Sequence, residues 1–490
     1  MRSMLYFLPT LLLFSAAVLF IPDVVHAGIG KYYRSEETRT YRLIERGDME
    51  GVEKALDNTP EWREDPFGYF QQAIDSCRLD ILKMLVEKSG QDLKKTDQSM
   101  DDGSDFLMDA VVLQIDPNSN SRDADEADVL EIVKFLISQG YEVKRTFNEN
   151  RRERPLLHLA IEAENRLLVT YLLENGVDVE EQDEGATPLM AALDRVDAMK
   201  KDPFDISRIL LKAGARLVYE ASDAPQNSFS LLHNAVEEGN LDKVRFLIEQ
   251  GAPLEFVYGG GTPLHAAVSG KAKEIVHFLV EQGADLEART DFGWTPLLLA
   301  TLDDVEMVQY FVDHGADIHA VTDNDRDALF LAAENGNEKL VDFFLAKKLD
   351  PRRVNLSGQG ILTAAACGGN FAIFRKFADM GLDLNTRDSW GQTLLFPAAA
   401  GQNAEIVKYL LEHGVDVNSR RNDGTTAMEL ARNGKNASIL IPIFRKAGGK
   451  ETSNRAEALW FDGGAFGEAA LQNSFVPMGM GGLGGLGGFM

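Results

Sequence analysis

A 33-residue period is the feature that most limits what this chain can become. Taking the leucine of a recurring Gly-x-Thr-Pro-Leu-His-like pattern as the frame, it falls at Leu157, Leu189, Leu232, Leu264, Leu297, Leu329, Leu362 and Leu395, with Met428 as the last equivalent. Every step but one is 32 or 33 residues. Self-similarity at such a period means one short supersecondary unit repeated, and a unit of that size cannot bury its own apolar face. Neighbours must stack, and a solenoid results.

The residues inside one period explain its shape. Threonine caps exposed helix amides and the following proline lacks an amide of its own, so Thr262-Pro263 and Thr295-Pro296 each open a helix. The leucine and the alanines that follow give that helix a narrow apolar face. A break such as Gly239-Asn240 or Gly336-Asn337 comes next, then a second helix with apolar residues at helical spacing, as in Val244, Leu247 and Ile248 or Val308, Phe311 and Val312. Gly251, Gly283, Gly315 and Gly414 end that helix, where a left-handed residue is needed.

The segments Gly261-Thr262-Pro263-Leu264-His265-Ala266-Ala267, Thr295-Pro296-Leu297 and Val407-Lys408-Tyr409-Leu410-Leu411-Glu412-His413-Gly414 resemble the ankyrin consensus. The resemblance is strong from about Glu153 to Gly448 and traceable, in degenerate form, back to about Thr38. It implies an all-α repeat solenoid of ankyrin-type stacked helix pairs with short β-hairpin tips. It also implies that His158, His233 and His265, which share one repeat position, hydrogen-bond between neighbouring turns rather than bind metal or catalyse. His314 and His413 precede terminating glycines, where a cation suits the negative end of a helix.

The resemblance further implies that protein partners contact the hairpin tips and the concave face of the first helices. Carried onto the tips of this sequence, the candidates are Phe256, Tyr258, Phe292, Trp294, Asn324, Arg326, Trp390 and Gln392. Aromatic and arginine side chains suit interface anchors, though Trp294 and Trp390 could equally pack on a neighbouring tip. Arg289, Arg387 and Arg420 share a repeat position, with Arg352, Arg353 and Arg421 adjacent, so a basic ladder on the tips is expected.

Two departures interrupt the period. The step from Leu189 to Leu232 carries about ten extra residues, expected at Val196–Asp205, and a comparable excess lies at Asp116–Asp128; both are expected on one edge of the solenoid. The second holds Asp116, Asn118, Asn120, Asp123 and Asp125, but Ser121 and Ala127 stand where a calcium loop needs glycine and glutamate, so it reads as a solvated acidic loop. Helix pairs near Thr40–Leu56 and Met428–Lys446 are expected to cap the array.

The domain reading is therefore a signal peptide at 1–27, degenerate ankyrin-like repeats with a cap at 28–152, the main array at 153–448 and a Gly-rich tail at 449–490, expected to be a flexible chain. The apolar run from Leu5 to Ile21 followed by Val25-His26-Ala27 has the layout of a cleaved secretory signal, with a retained membrane anchor as the competing reading. Only two cysteines occur, Cys77 and Cys367, too far apart in the repeat frame to pair. A net charge of −27 repels phosphate backbones, which argues against nucleic acid.

No phosphate-cradling glycine loop, nucleophile elbow or metal cluster occurs in the sequence. The expectation is a non-catalytic, exported scaffold, periplasmic or secreted, that binds an unidentified protein partner without cofactor or metal. A membrane is involved only if the N-terminal segment is uncleaved. The competing readings are a secreted toxin or effector whose repeats target a small active segment, and a membrane-tethered cytosolic scaffold.

Overall fold

The computed structural model describes residues 35–97, 106–112, 125–143, 146–149, 152–196, 202–219, 229–302 and 304–450. The expected signal segment at 1–27, most of Asp116–Asp128, part of Val196–Asp205 and the tail after Lys450 lie outside these residues. The chain forms two compact units, Met1–Arg216 and Leu217–Met490.

In the first unit the helices come in pairs: Ser35–Arg46 with Met49–Asp57, Phe67–Asp75 with Leu79–Ser89, and Phe106–Val112 with Glu126–Ser138. Leu156–Glu162 with Arg166–Glu174 and Pro188–Asp194 with Asp205–Lys212 continue the series. The degenerate N-terminal stretch thus folds as regular pairs, and the expected cap near Thr40 begins at Ser35. Burial of Ile44, Phe70, Ile74, Leu82 and Phe106 shows why: the apolar spacing survives where the consensus letters do not.

The second unit repeats the motif through Leu231–Glu237 and Leu241–Glu249, Pro263–Ser269 and Lys273–Glu281, Pro296–Ala300 and Val305–Asp313, and Ala328–Glu334 and Glu338–Ala346. It ends with Ile361–Gly368 and Phe371–Asp379, Leu395–Ala400 and Ala404–Glu412, and Ala427–Arg432 and Ala437–Lys446. First helices pack on first helices and second on second, so each repeat buries its leucine and alanines against the next. Phe311, Phe344, Phe374, Phe377 and Phe396 are fully buried between the layers.

Local chemistry sets the boundaries. Thr187 and Thr295 accept from the amides of Met190 (3.4 Å) and Leu298 (3.3 Å), each with proline at the next position. At the other end, Gly251 has φ +91° and donates to the Ile248 carbonyl (2.9 Å) while Ala252 donates to Leu247 (2.9 Å), closing the helix in the two-bond manner that needs a left-handed residue. Lys348 occupies the same position at φ +68° without being glycine.

The ten-residue excess expected at Val196–Asp205 is instead shared between two places. Ten residues separate Asp194 from Asp205 where three separate Glu237 from Leu241, and eighteen separate Lys212 from Leu231 where thirteen to fifteen separate the corresponding helices of later repeats. Lengthening a hairpin and a loop leaves every helix contact intact, so both places tolerate growth.

Candidate protein-interaction surface

Hairpins join each second helix to the first helix of the next repeat. In the second unit four of them are closed by an isolated bridge, Tyr258 with Gly261, Val321 with Asp327, Val354 with Gly360 and Arg420 with Thr426. The turn needs a left-handed residue, supplied by Gly260, Gly293, Gly358, Gly391 and Gly424, and by Asp325 at φ +58° in the one hairpin that lacks glycine there. Neighbouring tips are linked by backbone hydrogen bonds: Asp291 to Gly260 (3.3 Å), Asp323 to Phe292 (3.1 Å), Leu356 to Asn324 (3.3 Å), Ser389 to Ser357 (2.9 Å) and Asn422 to Trp390 (2.9 Å). One continuous edge results.

The histidines hold this edge from beneath. His233 Nε2 meets the Gly261 carbonyl at 3.1 Å and His265 Nε2 meets Trp294 O at 3.0 Å, while in the first unit His158 Nε2 meets Glu181 O at 2.8 Å. His265 Nδ1 accepts from the Thr262 amide at 3.2 Å, which fixes Nε2 as the protonated nitrogen that donates to Trp294. Burial lowers the pKa of all three and brings His233 to about 4, so they remain neutral struts. His314 and His413 donate from Nδ1 to the carbonyls of Tyr310 and Tyr409 (2.8 Å each) at the ends of their helices.

The expected contact residues separate into two sets. Phe292 and Trp390 stand out from the tips, 57% and 48% exposed. Phe256, Tyr258 and Asn324 are half-buried, the first two edge-on to His233 at 6.4 and 5.5 Å. Arg326 and Gln392 were expected on the exposed tips and are instead each only 7% exposed, and Trp294, for which packing on a neighbour was the equal alternative, is packed to the same 7%. All three occupy the position three residues before the frame leucine, where the backbone has turned inward. Arg326 pairs there with the half-buried Glu334 at 3.0 Å, and Arg154 pairs in the same way with Glu162 at 2.6 Å.

The arginine ladder is present, but its guanidiniums are largely committed to the hairpins. Arg387 Nη1 donates to Gly391 O (2.7 Å) and Arg420 O (3.2 Å), and Arg420 Nη1 donates to Gly424 O (2.6 Å). Arg289 reaches Asp323 at 3.1 Å, Arg353 reaches Asp325 at 2.5 Å, and Arg421 holds the Asp423 carboxyl down to about 2 through its hydrogen bond. The ladder braces the tips more than it offers charge to a partner.

What protrudes instead is apolar. Val257, Val354 and Leu356 join Phe292 and Trp390 with exposures from 48% to 72%. An aromatic-and-arginine pattern does not point to those three; their sign in the sequence is a large aliphatic residue at a tip position that needs none.

The opposite edge, where first helices turn into second helices, is built differently. Asn370 Nδ2 donates to Gly336 O (3.1 Å), Asn436 Nδ2 donates to Gln402 O (2.9 Å), and Asn403 makes the same contact to Gly369. An open groove of about 1090 Å³ lies there, lined by Asn335, Gly368, Asn370, Arg375, Lys376 and Asn403 among others. Its cations are already engaged, Arg375 with Asp379 at 3.6 Å and Lys376 with Asp342 and Glu338.

Comparison with known families decides the architecture's name. Descriptions of "Ankyrin repeats (3 copies)" match residues 124–221, 197–290 and 287–355, and "Ankyrin repeats (many copies)" matches 378–431, together more than half of the chain. The chain belongs to the ankyrin-repeat family. Its array is similar to the human ASB11 ankyrin repeat domain at 22% identity and a TM-score of 0.38, covering 46% of this chain and 100% of that one. No curated protein matches it. Ankyrin repeats generally act as protein-interaction scaffolds, and no enzymatic family is indicated. Among the described residues of the array, no group of three His, Cys, Asp or Glu side chains is placed to hold a metal ion, and no helix is long and apolar enough to cross a membrane.

Proposed function

We propose that this protein is an exported, non-catalytic ankyrin scaffold that binds a protein partner along the hairpin edge of its second unit. The observation that carries the reading is the row of exposed apolar side chains on that edge, Phe292, Val354, Leu356 and Trp390, on a chain of net charge −27. Exposed aromatic and aliphatic groups cost solubility, and a row of them on a braced backbone is what a partner with an apolar surface would desolvate. Export is supported by the apolar run at Leu5–Ile21 and the small residues around Ala27.

The test has two parts. Chemical cross-linking in the native cells, with the wild-type chain and a Phe292→Ala/Trp390→Ala variant, should give a partner adduct that the variant loses while its far-UV circular dichroism stays unchanged. An adduct of equal yield from the variant overturns the assignment of the surface. Mass spectrometry of the N-terminus should find a chain that begins at Gly28 in the exported fraction; an intact Met1 in the membrane fraction would overturn cleavage and export as a free chain.

A further inference from the structure

The exposed apolar row and the last part of the sequence share a spacing. Tips of consecutive repeats carry Phe292, Asn324, Leu356 and Trp390, and they are linked by backbone bonds in which the amides of Asp323, Leu356 and Ser389 donate to the carbonyls of Phe292, Asn324 and Ser357. Helices packed side by side place successive tips about 10 Å apart. Beyond Lys450 the sequence contains Met480-Gly-Gly-Leu483-Gly-Gly-Leu486-Gly-Gly-Phe489, an apolar residue at every third position. An extended left-handed chain with three residues per turn and a rise of about 3.1 Å puts every third side chain on one face, about 9 Å apart. Four apolar residues in such a chain therefore match the pitch of four tips.

We propose that residues Met480–Phe489 dock in cis along the hairpin edge of the second unit, covering Phe292, Leu356 and Trp390 until a partner displaces them. This rests on the reading of that edge as the binding surface, and it names the regulation of that surface. Reach allows it. Lys450, the last described residue, donates its amide to Asn418 Oδ1 at 2.8 Å, and Asn418 leads directly into the Arg420 hairpin, so the chain leaves the array at the end of the same row. The twenty-nine residues between Lys450 and Met480 can span up to about 95 Å, against about 40 Å for the length of four tips.

Charge supports this occupant. From Gln472 to Met490 the sequence carries no charged side chain, and the tips it would cover have their arginines tied to carbonyls and carboxylates. Glycines between the apolar positions leave the backbone free of side chains that would collide with the hairpins.

Hydrogen exchange with mass spectrometry on the full chain tests this. Wild type is compared with a Leu483→Asp/Leu486→Asp/Phe489→Asp variant, whose changes lie outside the repeats and leave the helix pairs intact. Exchange in tip peptides spanning 289–294, 354–359 and 388–392 should be about tenfold slower in wild type, as a tethered segment at millimolar effective concentration gives for a weak site. Equal exchange in the two proteins overturns the proposal. Added to the variant, a synthetic peptide of residues 478–490 should restore protection, whereas one with the same composition but adjacent apolar residues should not; equal rescue by both overturns the register. Protection that vanishes on dilution would assign the segment to a second copy and overturn docking in cis. Loss of the partner adduct in Phe292→Ala/Trp390→Ala is read separately, so failure of the tail leaves the partner surface standing, and the reverse.

Discussion

Replacing Asn370 separates two contributions that one side chain makes. Its Oδ1 caps the helix Phe371–Asp379 by accepting from the amides of Ala372 (3.0 Å) and Ile373 (3.3 Å), and its Nδ2 donates to Gly336 O of the preceding repeat at 3.1 Å. Removal of an N-cap costs about 1 kcal/mol. Removal of the bond between repeats costs about 1 kcal/mol more, because the Gly336 carbonyl is left beside a half-buried loop. Asn370→Ala should therefore destabilise by about 2 kcal/mol. Asn370→Ser keeps the cap but is too short to reach Gly336, so about 1 kcal/mol is expected.

Local opening is the better readout than global unfolding, because a solenoid's stability is a sum over repeats and their interfaces. Native-state hydrogen exchange of the 371–379 helix should accelerate about fivefold in the serine variant and about thirtyfold in the alanine variant. Serine behaving as wild type would refute a contribution from the bond between repeats. Serine behaving as alanine would refute the cap.

Three further outcomes follow from the geometry. A Cβ at Gly368 would sit 2.4 Å from Glu334 O and 2.8 Å from Ala333 O, so Gly368→Ala should cost about 1–3 kcal/mol in urea titrations; a silent substitution would mean the first helices pack less closely than described. Lys348→Gly relieves a left-handed lysine at φ +68° and should stabilise by about 1 kcal/mol, the opposite sign to glycine placed in a helix interior, and a loss of thermal stability would refute the strain argument. Burial holds His233 at about 4 against 6.5 when unfolded, so the unfolded chain binds the extra proton between these values. Stability should be full above pH 6.5 and fall on acidification toward pH 4, by up to about 3 kcal/mol from this group, with a shallower fall in His233→Gln; identical pH profiles for the two proteins would refute it.

The helix pairs, their caps and the histidine struts were legible because each depends on residue type at a fixed place in the period. Placement of side chains on the tips was less so. Trp294, Arg326 and Gln392 are large and polar or aromatic, and residue type alone marked them as anchors; the backbone at their shared position faces inward, and only the frame carries that information. Arg154 with Glu162 and Arg326 with Glu334 repeat one spacing, and that recurrence was a readable sign of an internal ion pair. The asparagine ladder was half legible. Asn337 and its equivalents announce a break before the second helix, but the arm from Asn370 to Gly336 joins residues 34 apart and appears only once repeats are stacked.

The two edges divide the work of the array. On the loop edge Asn370 and Asn403 serve both their own helix and the repeat before it, so a substitution there is paid in stability. On the hairpin edge the backbone bonds, the histidine struts and the arginine braces hold the tips without help from the side chains at Phe292, Leu356 and Trp390. Those positions are therefore free to change without cost to the fold, and Gly259, Asn324, Ser357 and Asp423 share the repeat position of Phe292 and Trp390. A surface whose frame is fixed elsewhere can be altered one tip at a time. Where such a surface keeps large apolar groups at 48% exposure or more, contact with something that covers them is the physical reason to keep them.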